Sequence, residues 1–302
     1  EEATGIKVNY QMFDSNETMY SMLAGGGTEY DVIIPSDYMI ARLISEDMLE
    51  PLNFDNIPNF SDVDPELKNP EYDPENLYSV PYMWGLMGVI YNTTMVDEAD
   101  LGSWDLLWNE KYSGDIVMID NSRDAIGIAL KSLGYSYNTT DEAQIAEAVE
   151  KLIEQKSILQ GYAMDQLFGK MEGNNAAIGT YYYGDYLTML ENNPDLGFYI
   201  PEEGTNIYVD AMCIPKGAAN KENAEIFINY MCSTEAGLKN CEEIWYSTPL
   251  LSVRDALEPE VSSDPLAYPD ASILAKCESY AGLPQNILDL YDSEWTRLKS
   301  TA

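Results

Sequence analysis

The chain has 302 residues, 52 acidic against 16 basic, a net charge of −36 and no histidine. Length suits two domains, each with its own core. The charge disfavours nucleic acid and anionic lipid, which are gripped through Lys/Arg clusters, while the missing histidine excludes histidine-based triads and H-E-x-x-H metal sites.

In chain order, the first element is the end of a helix followed by a strand over Ile6 to Tyr10. Ser15 or Asn16 can cap a short helix carrying Met19, Met22 and Leu23, which Gly25-Gly-Gly27 stops. That glycine run lacks nucleotide-loop spacing. Val32-Ile-Ile34 reads as a strand buried on both faces, closed by Pro35. Ser36 is then placed to cap a helix bearing Met39, Ile40, Leu43 and Ile44. Pro51 to Pro81 is an irregular surface connection. Asp62-Val-Asp64 within it hints at calcium, but Leu67 stands where the EF-hand glycine belongs. Ser79 to Tyr91 is a long strand-like run, and Gly85 and Gly88 permit a bend or a close backbone approach within it.

Further on, Trp104 to Trp108 reads as a short helix. Asp115 to Asp120 repeats the earlier pattern, an apolar strand followed by polar residues and a helix. A helix from about Asp141 to Gln155 has Thr139 and Glu142 as its capping box. Ala176 to Thr180 is a strand ending in Tyr181-Tyr-Tyr-Gly-Asp185, and Ile207 to Pro215 another. Helices follow over Lys221 to Cys232, Asp270 to Cys277 and Pro284 to Lys299. The alternation makes the chain α/β with mostly parallel sheets. Runs near residues 84–90 and 205–212 each suit a crossover between lobes, implying discontinuous lobes, a hinge and a cleft. Cys213, Cys232, Cys241 and Cys277 have no zinc or redox spacing and read as buried small hydrophobes, Cys232–Cys241 being the pairing to check. There is no run of about 18 apolar residues. The absence of a signal peptide fits a trimmed mature form as well as a cytosolic protein.

Three strand ends share carboxylates with polar or aromatic neighbours: Ser36-Asp37-Tyr38, Asp120-Asn121-Ser122-Arg123-Asp124, and Tyr181-Tyr182-Tyr183-Gly184-Asp185. Tyr208 and Asp210 share one face of a strand. The 23 tyrosines, against 6 phenylalanines and 5 tryptophans, suit a site lined by ring faces with polar tips. Carboxylates and ring faces together suit an organic cation, through charge-assisted hydrogen bonds and cation–π contacts. Each piece also has a plainer use: core packing for Tyr181–Tyr183, and favourable helix starts for Asp37, Asp120 and Asp124. Asp210 is hardest to explain away, because a carboxylate in an apolar strand needs a partner. Paired carboxylates could also serve a glycoside hydrolase.

Thr4-Gly-Ile-Lys-Val8, Ser15-Asn-Glu-Thr-Met-Tyr20, Tyr30 to Tyr38, Tyr78-Ser-Val-Pro-Tyr-Met-Trp-Gly85 and Leu133-Gly-Tyr-Ser136 together resemble the spermidine/putrescine-binding proteins of bacterial polyamine ABC transporters. The resemblance covers nearly the whole chain. It implies a two-lobed periplasmic-binding-protein fold of type II, which closes over one polyamine and docks on a membrane permease. The lobes implied are residues 1–85 plus 209–254, and 86–208 plus 255–302. No cofactor, metal or nucleic acid is implied, and the setting is extracytoplasmic: the periplasm, or the outer cell face through an upstream lipid anchor or fused permease. Another small cation or polar solute is the alternative ligand.

By position, the resemblance makes Ser36 and Tyr38 ligand-lining with Asp37 beside them, and makes Asp124 an amine-holding carboxylate. Asn121 stands where the similar spermidine binder has Asp; Asp37, Asp120 or Asp185 could replace that charge. Tyr182 and Tyr208 take the places of tryptophans that sandwich the methylene chain. Asp210 matches the central carboxylate and Tyr246 a further aromatic, while a lining glutamine is replaced around Ala281. The family has a first strand and helix ahead of Thr4. The expectation is therefore a monomer, unless a second copy supplies that strand to a chain that is not a fragment.

Overall fold

A computed structural model of the protein describes residues 1–13, 15–26 and 29–301. Gly27, the last glycine of the expected helix stop, lies outside them. The chain divides into two compact units. One is 1–84 with 208–262 and 279–282; the other is 85–207 with 263–278 and 283–302. The boundary therefore falls later than residue 254, and 279–282 belongs with the first unit. Physical anchors account for both. Leu257 packs against the core that holds Leu250 and Val253, and the Tyr280 N–H reaches Oδ2 of Asp37.

The first unit is built mostly from helices and isolated strand pairings. Ser15 caps the helix Asn16–Ala24 by accepting from the Thr18 N–H. The expected strand over Ile6 to Tyr10 does not form. The segment has no ladder among the described residues and leaves Tyr10 83 % exposed, and an unpaired extended chain is not a strand. Val32-Ile-Ile34 is not buried on both faces either. Ile33 makes one antiparallel bridge with Cys213, and Ile34 faces outward. The helix Asp37–Ser45 follows, burying Met39, Ile40 and Leu43. The core around Val80, Met83, Met212, Ile214 and Ile228 joins segments far apart in sequence. Buried Asp73 accepts from the N–H groups of Leu77, Tyr78 and Ser79, which fixes where the long strand β1 (Ser79–Asn92) begins. Asp62 holds Ser252 and Asp64 caps the short 3₁₀ helix Pro65–Leu67, so the two carboxylates that hinted at calcium serve the loop.

The second unit holds the rest of β1 and the strands β2 (Ile116–Ile119), β3 (Leu159–Ala163), β4 (Ile178–Tyr182) and β5 (Leu196–Tyr199). Their order is β3-β2-β4-β1-β5, with β6 (Ile207–Cys213) also pairing with β1. β2 pairs in parallel with β3 and β4, while β1 is antiparallel to β4 and β5. The sheet is thus mixed rather than mostly parallel. β1 enters it from the other unit instead of through a right-handed βαβ crossover, so nothing in the connection sets it parallel. Gly88 allows close packing here, since a Cβ would meet Phe198 at 2.3 Å.

The helices Ser122–Ser132, Glu142–Gln155 and Gln285–Ser300 pack together in this unit. Asp141, not Thr139, caps the second of them. Trp104–Trp108 is a 3₁₀ helix. Cys213, Cys232, Cys241 and Cys277 are all free thiols. Among the described residues no helix is long and apolar enough to cross a membrane.

Candidate functional site

In the first unit, the end of the Ile33 bridge delivers Ser36 beside Asp210. The two form an antiparallel bridge of their own, and the Ser36 hydroxyl donates to Asp210 Oδ1 at 2.7 Å. Ser36 stands at the helix N-cap position but makes no side-chain cap; its hydroxyl is turned instead to Asp210 and Asn16. Asp210 is half-buried in β6, and no lysine or arginine pairs with it among the described residues. Burial pushes its carboxyl up to about 6, and the Ser36 hydrogen bond pulls the other way. Two residues earlier on the same strand face, Tyr208 packs edge-to-face on Tyr246 with ring centroids 5.3 Å apart.

The loop carrying Tyr246 is held from both sides. Before it, Trp245 ends the helix Thr234–Ile244 in the left-handed region at φ 63°, which is unusual for so bulky a residue. After it, Ser247 and Trp84 exchange backbone hydrogen bonds, and the Trp84 indole donates to Thr248.

Tyr38 is half-buried, donates to Glu17 Oε1 at 2.8 Å and packs edge-to-face on Tyr280. Asn16 reaches both hydroxyls, with Nδ2 at 3.1 Å from Ser36 Oγ and 3.2 Å from Tyr38 Oη. Asp37 differs from its neighbours. It is fully buried, and its carboxylate takes the N–H groups of Tyr38 and Tyr280. It anchors the segment 279–282, in which Ala281 lies.

The second unit gathers its own cluster. β2 and β4 are parallel neighbours, so their carboxyl ends open on one sheet edge, where α/β sheets bind ligands. Asp124 follows β2, and Tyr182 ends β4 with its hydroxyl donating to Asp124 Oδ2 at 2.8 Å. Asp124 is 3 % exposed. Asn121 spends its Oδ1 capping the helix Ser122–Ser132, accepting from the N–H groups of Arg123 and Asp124. Asp185 lies half-buried in the first turn of the helix Tyr183–Asn192, and its charge adds to burial in pushing the Tyr181 phenol up. Asp120 does not join this cluster. It pairs with Lys299 at 2.7 Å, whose ammonium also lies over the rings of Tyr162 and Trp295.

The structure thus brings together Ser36, Tyr38, Asp210, Tyr208 and Tyr246 in one unit, and Asp124, Tyr182, Asn121 and Asp185 around one sheet edge in the other. Residue-by-residue reading missed Asn16, Glu17 and Tyr280. The string Ser15-Asn-Glu held the first two, but its helix-start pattern masked any other use.

A protein-family model for bacterial extracellular solute-binding proteins matches residues 1–269. The spermidine/putrescine-binding periplasmic protein of Salmonella typhimurium is 34 % identical over 276 residues, 91 % of this chain and 79 % of that protein. The putrescine-binding periplasmic protein PotF of Escherichia coli is 27 % identical over 319 residues, 99 % of this chain and 86 % of that protein. Among solved structures, the spermidine/putrescine ABC transporter substrate-binding protein PotD of Streptococcus pneumoniae, in complex with calcium and HEPES, superimposes with a TM-score of 0.87. It is 40 % identical and covers 99 % of this chain and 93 % of that one. With the fold, the length of the match and the identity in agreement, the chain belongs to the bacterial extracellular solute-binding protein family.

Proposed function

We propose that this protein is an extracytoplasmic receptor that captures a polyamine, spermidine or putrescine, and hands it to the permease of an ABC transporter. The observation that carries the reading is Asp210: a half-buried carboxylate, held by Ser36, beside the rings of Tyr208 and Tyr246, with no protein cation paired to it among the described residues. An ammonium group supplies the missing charge through charge-assisted hydrogen bonds, and ring faces suit the adjoining methylenes. Asp124 with Tyr182 gives the second unit a carboxylate and a ring of its own. Two amine-holding carboxylates, Asp210 and Asp124, favour a ligand with more than one ammonium over a monocation. The similar proteins are named as binders of spermidine and putrescine, which is the same chemistry.

In this reading the ligand-binding residues are Ser36, Tyr38, Tyr208, Asp210 and Tyr246, together with Asp124, Tyr182 and Asp185. Asn121 and Asp37 hold backbone in place. The receptor acts as a monomer. A glycoside hydrolase is set aside with the family, which is one of solute-binding proteins and not of enzymes. Calorimetric titration with spermidine, putrescine and a monoamine tests the proposal. Binding of a di- or triamine well above the monoamine is expected, and equal or absent binding overturns it. Ligand binding should also raise the melting temperature, by mass action on the native state.

A further inference from the structure

The hydrogen bonds around Asn16 have only one consistent direction. A backbone N–H can only donate, and the Ser36 N–H lies 3.2 Å from Asn16 Oδ1. The oxygen of the carboxamide therefore faces the backbone, and its NH₂ faces the two hydroxyls. Each hydroxyl has a single proton. Having accepted from Asn16, the Ser36 hydroxyl is left to donate to Asp210, and the Tyr38 hydroxyl to Glu17.

We propose that Asn16 is a positioning residue of this half-site: its carboxamide sets the direction of both hydroxyls, aiming Ser36 at Asp210 and Tyr38 at Glu17. The binding role this gives Asn16 rests on the polyamine reading above; the hydroxyl polarity itself does not. A directed Ser36 proton favours the ionised carboxylate, the form that an ammonium needs. A Ser36 hydroxyl free to rotate would spend part of its time pointing elsewhere, and Asp210 would hold its own proton to higher pH.

Among the described residues, few groups bear on this titration through their charge. Tyr72 and Tyr82 both feel the charge of Asp210, and burial pushes both phenols up, Tyr82 to about 12, so neither ionises while Asp210 titrates. Asp37, Asp73 and Cys213 act on Tyr72, and Tyr10 and Cys241 on Tyr82. Glu17 faces Tyr38.

The test is a double-mutant cycle in the full chain with Asn16→Ala, Ser36→Ala and the pair. Two readouts are followed against pH: spermidine affinity by calorimetry, and the Asp210 carboxyl carbon by NMR in the ligand-free protein. Asn16→Ala should move the Asp210 titration upward by about half a pH unit and the loss of affinity with it. In the Ser36→Ala background it should move neither further. An unmoved titration in Asn16→Ala, or the same shift in both backgrounds, overturns the proposal. Should Asn16→Ala fail to fold, Asn16→Ser is read by the same criterion. If no amine binds the wild type, the polyamine reading fails while the carbon titration still decides the role of Asn16.

Discussion

Tyr182 donates its hydroxyl to Asp124 across the ends of two parallel strands, at 2.8 Å. One contact thereby fixes an aromatic face and a nearly buried carboxylate relative to each other. Tyr182→Phe keeps the ring and removes the donor, leaving that carboxylate short of one hydrogen bond. Polyamine affinity should fall about three- to tenfold, the effect of one hydrogen bond to a charged group partly replaced by solvent. Tyr182→Ala, which also loses the ring face, should fall further. Calorimetry on the pair separates ring from hydroxyl.

Asp210→Asn should weaken polyamine binding by about thirtyfold or more, since truncating one side of a desolvated charge pair costs about 2–5 kcal/mol. The same change should raise the melting temperature of the ligand-free protein at neutral pH, because an ionised carboxylate is no longer held where burial disfavours it. Loss of binding with a gain in stability is the signature. A variant that loses both is explained by unfolding instead.

The pH dependence runs in opposite senses for stability and for binding. The Asp210 carboxyl is raised to about 6 in the folded chain from an unperturbed 3.8, so between these values the folded state binds a proton that the unfolded state does not. Its contribution to ligand-free stability is present at low pH and is lost as pH rises through about 6. Cation binding needs the ionised form, so affinity should fall as pH drops through about 6. Titrations and melts from about pH 4.5 to 8 check both slopes, and Asp210→Asn should flatten both.

Asp37→Ala should act on the fold. Its carboxylate is fully buried and accepts the N–H groups of Tyr38 and Tyr280. Removing it strands both donors, at about 1–3 kcal/mol. A melting temperature lower by roughly 5 °C is expected. A stable Asp37→Ala protein with much weaker polyamine binding would instead make Asp37 a direct ligand contact.

Trp245→Gly should destabilise the protein, although it relieves the backbone. Glycine adopts the left-handed region freely, whereas a bulky side chain at φ 63° is disfavoured by about 1 kcal/mol. Trp245 is only 39 % exposed, so the change also removes roughly 150 Å² of buried ring surface, about 4 kcal/mol of burial that outweighs the backbone relief. Thermal melts of the ligand-free variant decide it.

Much of the second unit was legible in the sequence. The all-apolar run Ile116-Val-Met-Ile119 and the strand leading to Tyr182 announced buried parallel neighbours, and the residues after them fell at one sheet edge. The direction of β1 was not legible, because apolar patterning is the same for either pairing sense. In the first unit, Val32-Ile-Ile34 had the composition of a central strand, yet it makes only an isolated pairing. Composition reports burial and not partner number. The uses of Ser36, Asn16 and Asp37 depended on contacts across 20 to 243 residues of sequence, beyond any local pattern.

The Ser36–Asp210 hydrogen bond spans 174 residues of chain. Closing a loop of that length carries an entropy penalty on the order of 5 kcal/mol, set against it before either group has a partner. Residues 85–207, which all fall between the two, can collapse on their own sheet first. The central carboxylate of the proposed ligand group therefore acquires its geometry late in folding. During refolding, the sheet should regain its structure before the chain regains the capacity to bind.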